Sequence, residues 1–78
     1  MHSNFVTPPD YVETVLIIDA PEEQIKILAT LIEHRGQAYN VYFYRQEMNQ
    51  PEWFDLVARK ADVVIDAKLT NPEDYFNK

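Results

Sequence analysis

The chain has 78 residues, no cysteine and a formal charge of −6, from seven Lys and Arg against thirteen Asp and Glu. A chain this short makes one domain that buries only about 60–65% of its unfolded surface, with no disulfide to reinforce it and no thiolate metal ligands. The acidic balance excludes the basic stripe of a free-standing nucleic-acid binder, and it equally disfavours an anionic membrane surface.

Residues 1–10 read as a flexible leader and 11–78 as a single α/β domain. MHSNFVTPPD lacks the charged and apolar regions of a secretory signal, and Pro8-Pro9 favours extended backbone. The expectation is a cytoplasmic protein. From Val12 the chain reads VETVLIID, apolar on four consecutive positions, Val15–Ile18. A run apolar on both faces is the signature of a central parallel strand, and it is far too short to cross a bilayer.

DAPEEQIKILATLIEHRG follows. Ile25, Leu28, Ala29 and Ile32 fall on one helical stripe, flanked by Ile27 and Leu31. Gly36, the only glycine, stands where a helix C-cap needs positive φ, and His34 and Arg35 suit the negative end of the helix dipole. YNVYFYR (39–45) is aromatic and β-branched, hence a strand. PEWFDLVARKA (51–61) reads as a helix with Trp53, Phe54, Val57 and Ala61 inward. DVVIDA (62–67) is a third strand, and one helical turn follows Thr70.

The order β-α-β-α-β with a short C-terminal helical turn calls for parallel strands and right-handed crossovers. The most apolar strand should be central, which gives a three-stranded parallel sheet of order 2-1-3. The alternative, 1-2-3, puts both long helices on one face.

Three stretches are alike: DAPE, NQPE and TNPE. In each, a capping residue (Asp19, Asn49, Thr70) precedes Pro by two positions and Glu by three. Such residues are expected to cap helices, since the cap oxygen accepts from a free first-turn amide and Pro loses nothing there. In parallel βαβ units all three starts share the carboxyl edge of the sheet, where open α/β sheets bind ligands. Nine of the thirteen acids gather there. Asp19, Arg45, Asp66 and Trp53 are the candidate ligand-binding residues. Asp19 and Asp66 are candidate metal ligands, Mg²⁺ being the ion that hard oxygens suit. No βα turn is glycine-rich, so a phosphate cradle is not expected. The single serine, Ser3, has no base beside it, which removes serine nucleophile chemistry.

VLIIDAPEEQIKILATLIEHRG and DVVIDAKLTNPED resemble the opening and the third strand of response-regulator receiver domains, of the flavodoxin-like fold. The likeness spans residues 12–74. It implies Asp66 as phosphoacceptor and Asp19 as one metal-binding acid of a Mg²⁺-dependent phospho-switch. Ala20 stands where receivers carry a second acid. The fourth and fifth strands, which carry the family's Ser/Thr and Lys, have no counterpart, so the resemblance implies a truncated module. A fainter likeness, through Trp53 and Ala61-Asp62-Val63-Val64, is to nucleoside deoxyribosyltransferase-like folds.

The strand over 39–45 holds more tyrosine than a small core needs, and tyrosine is enriched at interfaces. Tyr42 and Tyr44, with Ile27 and Leu31, are the candidate interface residues. The functional expectation is a small acidic, non-catalytic accessory or protein–protein interaction module that self-associates or docks on a larger protein partner, with no cofactor and no direct nucleic-acid binding. The alternatives are the phospho-switch at Asp66 and nucleotide or small-molecule binding at the carboxyl edge.

Overall fold

The computed structural model describes residues 11–34 and 38–77; the leader read over 1–10 and the cap read at Gly36, with Arg35 beside it, lie outside the described residues. Six elements follow in order: β1 (Glu13–Ile18), α1 (Glu22–His34), β2 (Tyr39–Tyr44), α2 (Phe54–Lys60), β3 (Val63–Asp66) and α3 (Pro72–Phe76). The three strands are parallel in the order β2-β1-β3, with Val15 level with Val41 on one side and Val63 on the other. Among the described residues no helix is long and apolar enough to cross a membrane.

β1 is central because both its faces are covered: Val15, Leu16 and Ile17 are at most 1% exposed. Side chains alternate along a strand, so Val15 and Ile17 face one layer and Leu16 the other. The first layer holds α1 and α3. There Leu28 of α1 and Phe76 of α3 join Val15, Ile17, Ala20 and Ile65 in the core, and Ile25, Leu31, Ile32, Val41 and Phe43 pack around them. Phe76 meets the Tyr39 ring edge-on, centroids 4.9 Å apart. Among the described elements the second layer is α2 alone. Trp53, just before α2, and Phe54, its first residue, lie against Tyr42 and Tyr44 at 5.3 and 4.3 Å, and Val57 is buried.

The α1 stripe differs from expectation at two positions. Ala29 is exposed, whereas Leu31 is half-buried against the core. Successive helical residues are about 100° apart. An arc centred on Leu28 therefore takes in residues 25, 31 and 32 and turns residues 27 and 29 outward on opposite flanks.

Two capping assignments are also corrected. The cap of α3 is Asn71, not Thr70: its side chain accepts from the Glu73 amide at 3.0 Å, and Pro72 follows directly in the first turn. Asn49 caps nothing. A turn over residues 51–53 leads into α2, with the Phe54 amide on the Pro51 carbonyl at 3.1 Å. The residue before α2 is Trp53, itself in helical conformation and without a side-chain cap bond.

At the amino edge of the sheet, Tyr75 of α3 donates its hydroxyl to Glu13, and Tyr11 donates to Asp62. Asp62 also accepts from the Thr14 amide at 2.9 Å. These links fasten α3 and the entry to β1 onto the sheet.

Candidate functional sites at the carboxyl edge and beside the outer strand

At the carboxyl edge, Asp19 sits just past β1 with φ of 60°, a left-handed conformation that Asp tolerates better than most residues. This backbone turn aims its carboxylate across to the loop after β2. One oxygen accepts from the Gln46 main-chain amide at 2.8 Å and the other from the Gln46 side-chain amide at 2.6 Å. The Lys68 ammonium lies 3.5 Å away. The Gln46 main-chain amide is the chief reason that the Asp19 carboxyl stays ionised below the usual carboxylate range, helped by the Gln46 side chain and by Lys68. Asp19 therefore acts as a strut between two loops and caps no helix.

Asp66 is level with Ile18 on the neighbouring strand. Its carboxylate accepts from the Lys68 amide at 3.0 Å, and its carbonyl accepts from the Leu69 and Thr70 amides at 2.9 Å. This is a self-closing Asx turn. Arg45 pairs with Glu47 at 2.7 Å. An open pocket of about 160 Å³ is lined by Asp19, Arg45, Gln46, Glu47 and Lys68. It is well below the roughly 300–1,000 Å³ of a site that encloses a metabolite.

Of the four candidate ligand residues, the structure brings Asp19 and Arg45 into this pocket. Asp66 stands beside it with its carboxylate turned to its own loop. Trp53 lies elsewhere, on the Tyr42 ring. Among the described residues no group of three or more His, Asp or Glu side chains could hold a metal ion. Ala20, at the place of the second receiver acid, is 1% exposed within the apolar core.

The second site lies beside β2. A groove of about 230 Å³ runs between α2 and the sheet, lined by Thr14, Asn40, Tyr42, Leu56, Val57 and Lys60. Leu56 is 49% exposed there. Among the described residues β2 pairs with β1 only, so the groove, which its Asn40 and Tyr42 line, lies on an outer strand of the sheet. The carbonyls of Ala38 and Tyr44 accept from the Glu13 and Asp19 amides of the β1 side. In a parallel ladder alternate residues face the neighbouring strand. Ala38, Asn40, Tyr42 and Tyr44 thus serve β1, and the amides and carbonyls of Tyr39, Val41 and Phe43 point out of the sheet.

Of the candidate interface residues, Tyr42 lines this groove. Tyr44 is covered by Phe54, Leu31 packs into the core, and Ile27 stands 49% exposed on α1, in the other layer. Sequence reasoning missed Asn40, Leu56 and Lys60 as lining residues, and Gln46 and Lys68 at the carboxyl edge. Only Leu56 carried a signal, as an apolar residue on the outer side of a short helix. No family model, curated protein or solved structure matches this chain.

Proposed function

We propose that this domain is a non-catalytic protein-interaction module that docks through the open edge of β2. The observation that carries this reading is that no described residue guards the edge. Sheets protect their edges with Lys, Pro, bulges or very short strands. β2 is six residues, YNVYFY, without charge or proline, and pairs with β1 in unbroken register. The opposite edge, β3, has four residues and ends in Asp66. Among the described residues, β2 alone offers a row of outward-facing hydrogen-bonding groups beside a groove that Tyr42, Leu56 and Val57 help to line, the arrangement by which a sheet accepts another strand. The carboxyl-edge pocket supports catalysis less well, since its charges are neutralised by one another.

Photocrosslinking in the source cell tests this. A benzoylphenylalanine at Asn40, exposed on β2, is compared with one at Thr30, exposed on the far side of α1. A discrete protein adduct from position 40 and none from position 30 is the expected result. No adduct from position 40, or equal adducts from both, overturns the reading.

A further inference from the structure

Resting on the reading of β2 as a docking edge, we infer that its occupant is a second copy of this chain. The two copies meet about a two-fold axis that pairs β2 antiparallel with β2 and lays α2 antiparallel along α2.

Topology narrows the choice first. β2 of one copy could meet β3 of another in parallel, but that contact is head-to-tail, leaves a free edge at each end and propagates a filament unless the rotation closes a ring. Met antiparallel, β3 would bring the two-helix layer of its own copy to the side of α2. A two-fold axis normal to the sheet joins β2 to β2 instead, closes the assembly at two copies, and keeps both α2 helices on one face. The outward groups of Val41 then bond those of Phe43 in the other copy, with Tyr42 near the axis.

Spacing fits as well. α2 rests its rings on Tyr42 and Tyr44 and buries Val57 against the sheet, so it lies over β1 and β2. With strands about 4.8 Å apart, two such helices across the seam are about 10 Å apart. Packed helices lie at about 8–10 Å, so the groove beside Leu56 is the space a second α2 would close.

Charge supplies the complementarity. Glu52, Leu56 and Lys60 are four residues apart and so share one side of the helix. The turn before α2 already winds helically, with Trp53 at φ −73°, ψ −15° and the Val57 amide on its carbonyl at 2.9 Å. All three side chains are exposed. The ion pairs among the described residues are Arg45–Glu47 and Lys68–Asp19, so Glu52 and Lys60 have no opposite charge of their own. An acid–Leu–base stripe is complementary to itself when reversed. A two-fold axis through Leu56 sets Lys60 of each copy against Glu52 of the other and Leu56 against Leu56. This local match offsets the repulsion between two chains that each carry −6.

Sedimentation velocity over a concentration series tests the inference, with circular dichroism confirming that each variant is folded. A dimer is expected for the natural chain. Glu52→Lys and Lys60→Glu should each weaken it by about tenfold or more, because each variant repeats a like-charge contact twice. The double variant Glu52→Lys/Lys60→Glu should return the dissociation constant to within about threefold of the natural chain, since the swapped stripe is again self-complementary. A chain monomeric at every concentration overturns the inference, while the adduct from position 40 would still report docking on another protein. A dimer indifferent to both reversals, or one that the double variant fails to restore, overturns it too. Loss of the position-40 adduct is the separate result that removes the docking reading itself.

Discussion

Asp19 and Gln46 are joined by two hydrogen bonds, at 2.8 and 2.6 Å, that tie the end of β1 to the loop after β2. The bonds hold the Asp19 carboxyl below its usual range. Asp62 is likewise lowered, first by the Tyr11 hydroxyl and then by the Thr14 amide. A carboxyl whose folded pKa is depressed adds stability above its unfolded value, about 3.9 for Asp. That contribution is lost as pH falls through the lower folded value. Asp19→Asn keeps a residue that accepts a left-handed φ, and removes the charge together with one of the two oxygens that accept from Gln46. Its melting temperature should be below that of the natural chain at neutral pH, and should fall less steeply between about pH 4 and pH 2. Adding Asp62→Asn should flatten the profile further. Thermal melts at a series of pH values decide this, and an unchanged acid slope would remove Asp19 as a stabilising strut.

Phe76 is 1% exposed although α3 has only five residues. Its ring closes the α1 layer over Val15, Ile65 and Tyr39. Phe76→Ala should cost about 3–5 kcal/mol, against a total on the order of 5–10 kcal/mol for a chain of this size. The loss of about a third or more of the unfolding free energy is the expected outcome. Phe76→Leu, closer in volume, should cost about 1–2 kcal/mol and keep the transition cooperative. Urea denaturation separates the two, and a Phe76→Ala variant with the unfolding midpoint of the natural chain would show that α3 is dispensable.

Much of the fold was legible in the sequence, because hydrophobic pattern and element order constrain it tightly. VLII over 15–18, apolar on both faces, favoured a central place over the alternative order 1-2-3, and a central first strand fixes the order 2-1-3. The helix starts were less legible. DAPE, NQPE and TNPE look alike, yet Asp19 braces Gln46, Asn49 precedes a separate turn, and Asn71 rather than Thr70 caps α3. A Pro admits a cap one, two or more residues before it, and tertiary partners choose among them. Candidate sites were legible only by edge. Asp19 and Arg45 meet because strand ends converge. Asn40 and Lys60, twenty residues apart in the chain, line one groove through the crossover of α2, which no local pattern reports.

The corrected caps have a direct test. Asn71→Ala removes the bond to the Glu73 amide and the contact from the Gln24 side chain at 3.0 Å. A loss of about 1 kcal/mol is expected. Asn49→Ala and Thr70→Ala, whose side chains cap no helix, should each stay within about 0.5 kcal/mol of the natural chain. Equal losses at positions 70 and 71 would return the cap to Thr70.

Adjacent residues of β2 should respond in opposite ways to proline. The Val41 amide points out of the sheet and the Tyr42 amide points to β1, by the alternation that the Ala38 and Tyr44 carbonyls establish. Proline removes one donor and fixes φ near −65°. Val41→Pro keeps every bond to β1, so the domain should remain folded, at a cost of about 1–2 kcal/mol from the altered φ and the smaller contact of the ring with the core. It should nevertheless lose the photoadduct from position 40, because the edge can no longer complete its ladder. Tyr42→Pro removes a bond to the central strand and its contact with Trp53, and should cost at least about 3 kcal/mol. Circular dichroism and urea midpoints rank the two variants. Equal destabilisation would mean that the outer edge of β2 is not free in the folded chain. A folded Val41→Pro variant that still forms the adduct would move the docking surface away from that edge.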